Sequence, residues 1–163
     1  MSLFVVMGVS GCGKSTIAEE LARRTRGVYL DGDSFHPAEN IRKMAAGVPL
    51  TDEDRWGWLQ ALNDELRKRA RSAPSVFLAC SALREVYRER LRHGLTALRF
   101  IYLKGSREAI AARMRERTGH FMPATLLASQ FATLEEPKEA VVVSIEQSVD
   151  EIVSEVLGRI SGW

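Results

Sequence analysis

The sequence predicts a single α/β domain whose parallel sheet is covered by helices on both faces. Three observations predict it. Short apolar runs alternate with helical stretches along all 163 residues. The runs are continuously apolar, as strands buried on both faces are. The polar residues gather just after the carboxyl ends of those runs, where open α/β sheets bind ligands.

Each element has its own warrant. Residues 3–7 (Leu3-Phe4-Val5-Val6-Met7) form an apolar run that ends at a glycine-rich segment, and a helix over 14–26 follows. A second strand covers 28–30 and a helix 37–46. The helix over 51–71 opens on Thr51-Asp52-Glu53-Asp54, an N-cap with an acidic first turn. Leu59, Leu62 and Leu66 continue it as an apolar stripe, and Trp58 at its start is a core or cleft-wall residue. The remaining strands are 76–80, 98–103 and 141–145, between helices 85–91, 107–117, 124–133 and 149–160. No repeat, low-complexity tract or linker interrupts the pattern, so residues 1–163 read as one domain.

Composition narrows the function classes. Lys and Arg number 23 against 21 Asp and Glu, a net charge of only +2, so neither nucleic acid nor membrane is expected as a partner. The densest basic run, Arg67-Lys68-Arg69-Ala70-Arg71, falls where a helix ends, and the helix dipole accounts for it. No signal peptide or membrane-spanning stretch is visible. Cys12 and Cys80 sit at the glycine loop and at a strand end, which suits reduced thiols in a cytoplasmic protein.

The chemistry begins at Gly8-Val9-Ser10-Gly11-Cys12-Gly13-Lys14-Ser15, which fits G-x-x-x-x-G-K-[ST] at every fixed position. Strand, glycine loop and helix are the context that makes this pattern a phosphate-binding loop. The glycines turn successive N–H groups toward a phosphate chain, and the helix N-terminus adds partial positive charge. Gly8 to Thr16 are therefore the candidate nucleotide-binding residues. Lys14 is expected to reach the β/γ-phosphates of ATP and Ser15 to hold Mg²⁺. A Rossmann fingerprint fails, since its third glycine position is Thr16.

Asp31 and Asp33 flank Gly32 at the second strand's end. Strand alternation predicts both carboxylates on one side, one serving the metal (Asp31) and one accepting a hydroxyl proton (Asp33). An acidic turn or helix cap is the plainer alternative. The third strand ends in Cys80-Ser81 without an acid, which favours a metal role for Asp31. Arg113 and Arg117 share a helix face, and Gly119 permits a sharp turn into His120-Phe121. This predicts a lid over about 113–124 that brings guanidinium groups to the phosphates.

On these residues the chain resembles the gluconokinases. The matching segments are the phosphate loop, Leu30-Asp31-Gly32-Asp33, His36-Pro37, Asn40-Ile41, Lys43-Met44, and the stretch from Gly47 through Asp52, Asp54 and Arg55. Trp58-Leu59, Cys80 to Arg84, Tyr87-Arg88, Phe100 to Gly105, Gly119-His120-Phe121 and Gln130 to Pro137 also match, so the resemblance covers nearly the whole chain. It departs at Arg84, where some relatives look to have lysine.

The resemblance implies the P-loop kinase fold, with strand order 2-3-1-4-5, and a homodimer. It also implies phosphorylation of D-gluconate by ATP on the 6-hydroxyl, feeding sugar-acid catabolism. A polyhydroxy carboxylate calls for cations beside hydrogen-bonding groups. Arg55 and Arg84 are the candidates for its carboxylate or the incoming phosphate. His36, Asn40, Ser81 and His120 are candidates for substrate contacts and Asp33 for the base. Gln130 lies in a matching segment, but nothing else in the sequence places it at the site. A shikimate-kinase-like enzyme is the nearest rival, ahead of a nucleoside-monophosphate kinase. A non-catalytic nucleotide switch and an RNA-associated NTPase fit less well.

Overall fold

The computed structural model describes residues 2–116 and 124–161. Five strands, β1 (Ser2–Met7), β2 (Val28–Asp31), β3 (Ser75–Ala79), β4 (Leu98–Lys104) and β5 (Val141–Ser144), form one parallel sheet. Its order is β2-β3-β1-β4-β5, as expected. Seven helices connect them among the described residues: α1 (Lys14–Thr25), α2 (Ala38–Ala45), α3 (Asp52–Ala70), α4 (Glu85–Arg92), α5 (Arg107–Glu116), α6 (Ala124–Thr133) and α7 (Val149–Ile160). Element ends agree with the sequence reading to within a residue or two, the ordinary fraying of such boundaries.

The strands read as unbroken apolar runs because both faces are covered. Phe4 and Val6 of β1 join the core that holds Ile17 and Leu21 of α1 and Val153 of α7. Leu3, Val5 and Met7 point the other way, to Leu59, Leu62 and Leu66 of α3 and Leu91 of α4. Burying each such side chain contributes about 1.5–3 kcal/mol. α3 begins with a capping box: Asp54 N–H donates to Thr51 Oγ1 at 3.2 Å, and Thr51 N–H donates to Asp54 Oδ2 at 2.9 Å. The basic run at its end is partnered, Arg67 with Asn63 and the His93 carbonyl, Arg69 with Glu65. Cys12 and Cys80 are free thiols, both buried.

One expectation fails at the end of β2. The chain does not stay extended through Asp33; it enters a 3₁₀ turn, Gly32–Phe35. Asp31 caps that turn, with Oδ1 accepting from Asp33 N–H at 3.1 Å and Oδ2 from Ser34 Oγ at 3.2 Å. Strand alternation therefore does not relate the two carboxylates. Gly32 lies so close to β3 that a Cβ there would stand 2.6 Å from the Ala79 carbonyl oxygen. Of the expected lid, α5 carries Arg113; Arg117, Gly119, His120 and Phe121 lie outside the described residues.

Candidate active site

Parallel strands send all their carboxyl ends to one edge, so the loops after β1, β2 and β3 are neighbours there. The phosphate loop passes into α1 at Gly13, whose φ of 96° is the left-handed conformation that glycine adopts freely. Ile17 N–H donates to the Gly13 carbonyl at 3.0 Å and opens the helix. Lys14 Nζ folds back to donate to the Val9 carbonyl at 3.2 Å. Ser15 and Thr16 are exposed in the first turn. Cys12 is fully buried and packs against the loop's start, and burial pushes its thiol pKa up; this is the inert packing role, not a reactive thiol.

Arg113 reaches the loop from α5. Its Nη1 donates to the Cys12 carbonyl at 3.2 Å and its Nη2 to the Ile145 carbonyl at 2.8 Å. It also walls a hollow of about 340 Å³ with Gly13, Thr16, Ile17, Glu116 and Val149. Gln130 of α6, not placed by sequence reasoning, reaches the loop as well: Ser10 N–H donates to its Oε1 at 2.7 Å.

Lys14 and Asp33 follow β1 and β2, the strands on either side of β3. The Cys80 thiol, pushed up to about 12 chiefly by burial, is pulled down by Lys14 and raised further by Asp33. In β2, burial raises the Tyr29 pKa first; the Ser15 hydroxyl opposes this, and Asp31, Glu19 and Asp33 add to it.

His36 follows the 3₁₀ turn and stacks on Trp58, with ring centroids 4.1 Å apart and planes 16° from parallel. Trp58 is a cleft wall, held by its Nε1–H donating to the Gly32 carbonyl at 2.8 Å. Asn40 is buried behind His36, and its Nδ2 is 2.9 Å from the Asp54 carbonyl and 3.2 Å from His36 Nδ1. A carbonyl only accepts, so the amide nitrogen must face Asp54, and its second hydrogen is left for Nδ1. Neutral His36 then carries its proton on Nε2. Burial lowers its pKa, with Asp33 opposing and Arg55 assisting. Asn40 spends both amide hydrogens inside the protein and therefore sets the imidazole in place.

Arg55 and Arg84 meet through Asp52 and Tyr87, two residues of the matching segments to which the sequence reading gave no site role. Tyr87 Oη donates to Asp52 Oδ1 at 2.7 Å, Arg84 Nη1 donates to Asp52 Oδ2 at 2.7 Å, and Arg55 Nη1 donates to Tyr87 Oη at 3.0 Å. Both guanidiniums also lie over the Tyr87 ring, at 5.2 and 5.6 Å. The Tyr87 hydroxyl first, then Arg84 and Arg55, hold Asp52 below the usual carboxylate range against its desolvation. Ser81 joins the donor side, its carbonyl accepting from Gly8 N–H at 3.3 Å. The structure thus gathers Lys14, Asp33, His36, Arg55, Ser81 and Arg84 at one edge of the sheet.

A phosphate loop on a 2-3-1-4-5 parallel sheet, facing a wall of carboxylate, imidazole and guanidinium groups, defines a P-loop kinase of small molecules. A family model described as an AAA domain matches residues 3–137. The chain is 45% identical over 159 residues to the thermoresistant gluconokinase of Escherichia coli (strain K12), spanning 95% of this chain and 91% of that protein. The crystal structure of a gluconokinase from Sinorhizobium meliloti 1021 superposes with a TM-score of 0.90 at 45% identity, over 99% of this chain and 92% of that one. Shikimate kinase from Aquifex aeolicus vf5 shares the fold alone, with a TM-score of 0.63 at 18% identity over 98% of this chain and 96% of that one. The chain belongs to the gluconokinase family.

Proposed function

We propose that the protein transfers the γ-phosphoryl group of ATP to the 6-hydroxyl of D-gluconate, releasing 6-phospho-D-gluconate and ADP. The observation that supports this most is the strand order β2-β3-β1, which sets the phosphate loop after β1 and Asp33 after β2 on either side of β3, with Gly8 N–H tied to the Ser81 carbonyl at 3.3 Å. A phosphate-binding lysine and a carboxylate then flank the end of one strand. Family membership supplies the acceptor, and the Arg55–Asp52–Arg84–Tyr87 cluster suits a carboxylate-bearing one.

In this mechanism the N–H groups of the Gly8–Thr16 loop other than those of Gly8, Ser10 and Cys12, which donate within the protein, cradle the phosphates, and Lys14 neutralises charge on the moving group. Arg113, with Arg117 from outside the described residues, adds positive charge at the nucleotide side. Asp33 accepts the proton of the 6-hydroxyl as the oxygen attacks phosphorus. His36 Nε2–H, Ser81 and His120 donate to substrate oxygens, with Asn40 acting through His36. Arg55 and Arg84 orient the carboxylate end. Mg²⁺ suits the oxygen donors available, the exposed Ser15 hydroxyl and the Asp31 carboxylate beside Tyr29, since this ion takes few protein ligands and keeps water. When bound, it offsets charge on the β- and γ-phosphates. The reading includes a homodimer in the cytoplasm. Among the described residues no helix is long and apolar enough to cross a membrane.

The test is Mg²⁺-dependent ADP release with D-gluconate, shikimate, D-glucose and AMP, for the wild type and Asp33→Asn. Release with gluconate alone, reduced at least about 100-fold in a folded Asp33→Asn protein, is the expected result. ATP binding without release on any acceptor refutes the kinase assignment and leaves the nucleotide switch.

A further inference from the structure

The donor loop and the acceptor loop are joined by a closed circuit of hydrogen bonds. Gly8 N–H donates to the Ser81 carbonyl at 3.3 Å. Two residues on, the Leu83 carbonyl accepts from Glu135 N–H at 2.7 Å. The chain runs back from Glu135 through the last turn of α6, where Leu134 N–H donates to the Gln130 carbonyl at 3.0 Å. Gln130 Oε1 then accepts from Ser10 N–H, two residues from Gly8, and the circuit closes. Glu135 adds a second tie, with Oε1 accepting from Glu85 N–H at 2.7 Å.

The circuit is braced from inside. Arg88 is buried, and donates to the Ala82 carbonyl at 2.6 Å, the Glu135 carbonyl at 2.7 Å and Glu85 Oε2 at 3.0 Å. Ala82 holds a φ of 46°, a left-handed conformation that alanine avoids unless its surroundings impose it. Leu127 and Phe131 seat α6 on one core, and Leu134 packs against the cores of both sheet faces. The turn from Gln130 to Glu135 is therefore a short stiff strut with one end on each loop.

We propose that Gln130 and Glu135 are positioning residues that set the spacing between the phosphate loop and the Ser81–Arg84 acceptor loop. In-line transfer depends on that spacing, and a misplacement of about 1 Å costs roughly 100-fold in rate. Gln130 acts through the Ser10 amide, and Glu135 through Leu83 and the start of α4. The kinetic part of the test rests on the gluconate phosphorylation proposed above; the amide measurement does not.

Amide exchange and ¹⁵N shifts are read on the substrate-free protein for Gln130→Ala, Glu135→Ala and Glu135→Gln. A stiff strut makes Gln130→Ala perturb the Glu85 amide and Glu135→Ala perturb the Ser10 amide, each across the circuit. Glu135→Gln, which keeps an acceptor oxygen for Glu85 N–H, leaves both near wild type. With ATP and D-gluconate, kcat falls roughly 10- to 100-fold in either alanine variant, with KM for ATP within about twofold. The double alanine variant is little worse than the worse single one, because both ends act on one distance. Purely local amide changes with additive kinetic losses overturn the proposal. So does tighter ATP binding in Gln130→Ala, which means that phosphate displaces the glutamine rather than being aligned by it. A wild type inactive toward gluconate, with reciprocal amide effects present, refutes the assigned acceptor and leaves the strut standing.

Discussion

Replacing Asn40 with alanine tests the hydrogen-bond order behind the acceptor wall. Asn40 is 3% exposed and spends one amide hydrogen on the Asp54 carbonyl and the other on His36 Nδ1. The substitution takes this donor from the part-buried Asp54 carbonyl and removes a second bond, together about 2–4 kcal/mol. For a chain of this length that is a Tm loss of roughly 5–15 °C. The second consequence is at His36. Its folded pKa is lowered by burial, assisted by Arg55 and opposed by Asp33. Its contribution to stability is therefore complete above the free-imidazole value of about 6.5 and is lost as pH falls through the lower folded value. Without Asn40 the unprotonated Nδ1 loses its donor, so the folded pKa rises and the acid loss of stability becomes shallower. The assay is long-range ¹H–¹⁵N correlation NMR, feasible because the chain has only three histidines. Wild-type His36 is expected as the Nε2–H tautomer titrating below about 6.5, and higher in Asn40→Ala. A wild-type Nδ1–H tautomer, or a titration above that value, refutes the reasoning.

Two further substitutions probe the acceptor side and its support. Tyr87→Phe removes the bonds to Asp52 and Arg55 that orient both guanidiniums; KM for D-gluconate rises roughly ten- to thirtyfold while KM for ATP stays put, and steady-state kinetics with each substrate varied in turn checks this. Arg88→Met leaves the Ala82 and Glu135 carbonyls without their donor inside the protein; a loss of about 3–5 kcal/mol appears in thermal denaturation as roughly 10 °C, and a shift under about 2 °C contradicts the bracing role.

Much of the fold was legible in the sequence because each signal is local. Leu3 to Met7 reads as a strand buried on both faces since every side chain is apolar, and the structure sends alternate ones to two cores. Thr51 to Asp54 reads as a helix start because both halves of the capping box lie within four residues. The strand order came from the resemblance to a family, since pairing is a tertiary fact. The turn after β2 was misread for a related reason. Asp-Gly-Asp fits an extended alternation as well as an aspartate-capped turn, and what decides is the approach of Gly32 to the Ala79 carbonyl on another strand.

The candidate site divides along the same line. The phosphate loop is a run of consecutive residues and could be found by inspection, whereas Gln130 touches it across 120 positions and carries no pattern of its own. The two arginines show why residue type alone misleads. Arg55 and Arg84 read from the sequence as candidates for the substrate carboxylate or the incoming phosphate, and each already has a partner in the Asp52–Tyr87 pair. Asp52 does not thereby cancel them. A guanidinium carries five N–H donors in a fixed fork; Arg84 commits one nitrogen to Asp52 at 2.7 Å and Arg55 one to Tyr87 at 3.0 Å. Each can offer its other edge to a carboxylate. Asp52 therefore orients the cations, and in the proposed reading their selectivity for an acid over a neutral polyol would depend on a tyrosine that touches both.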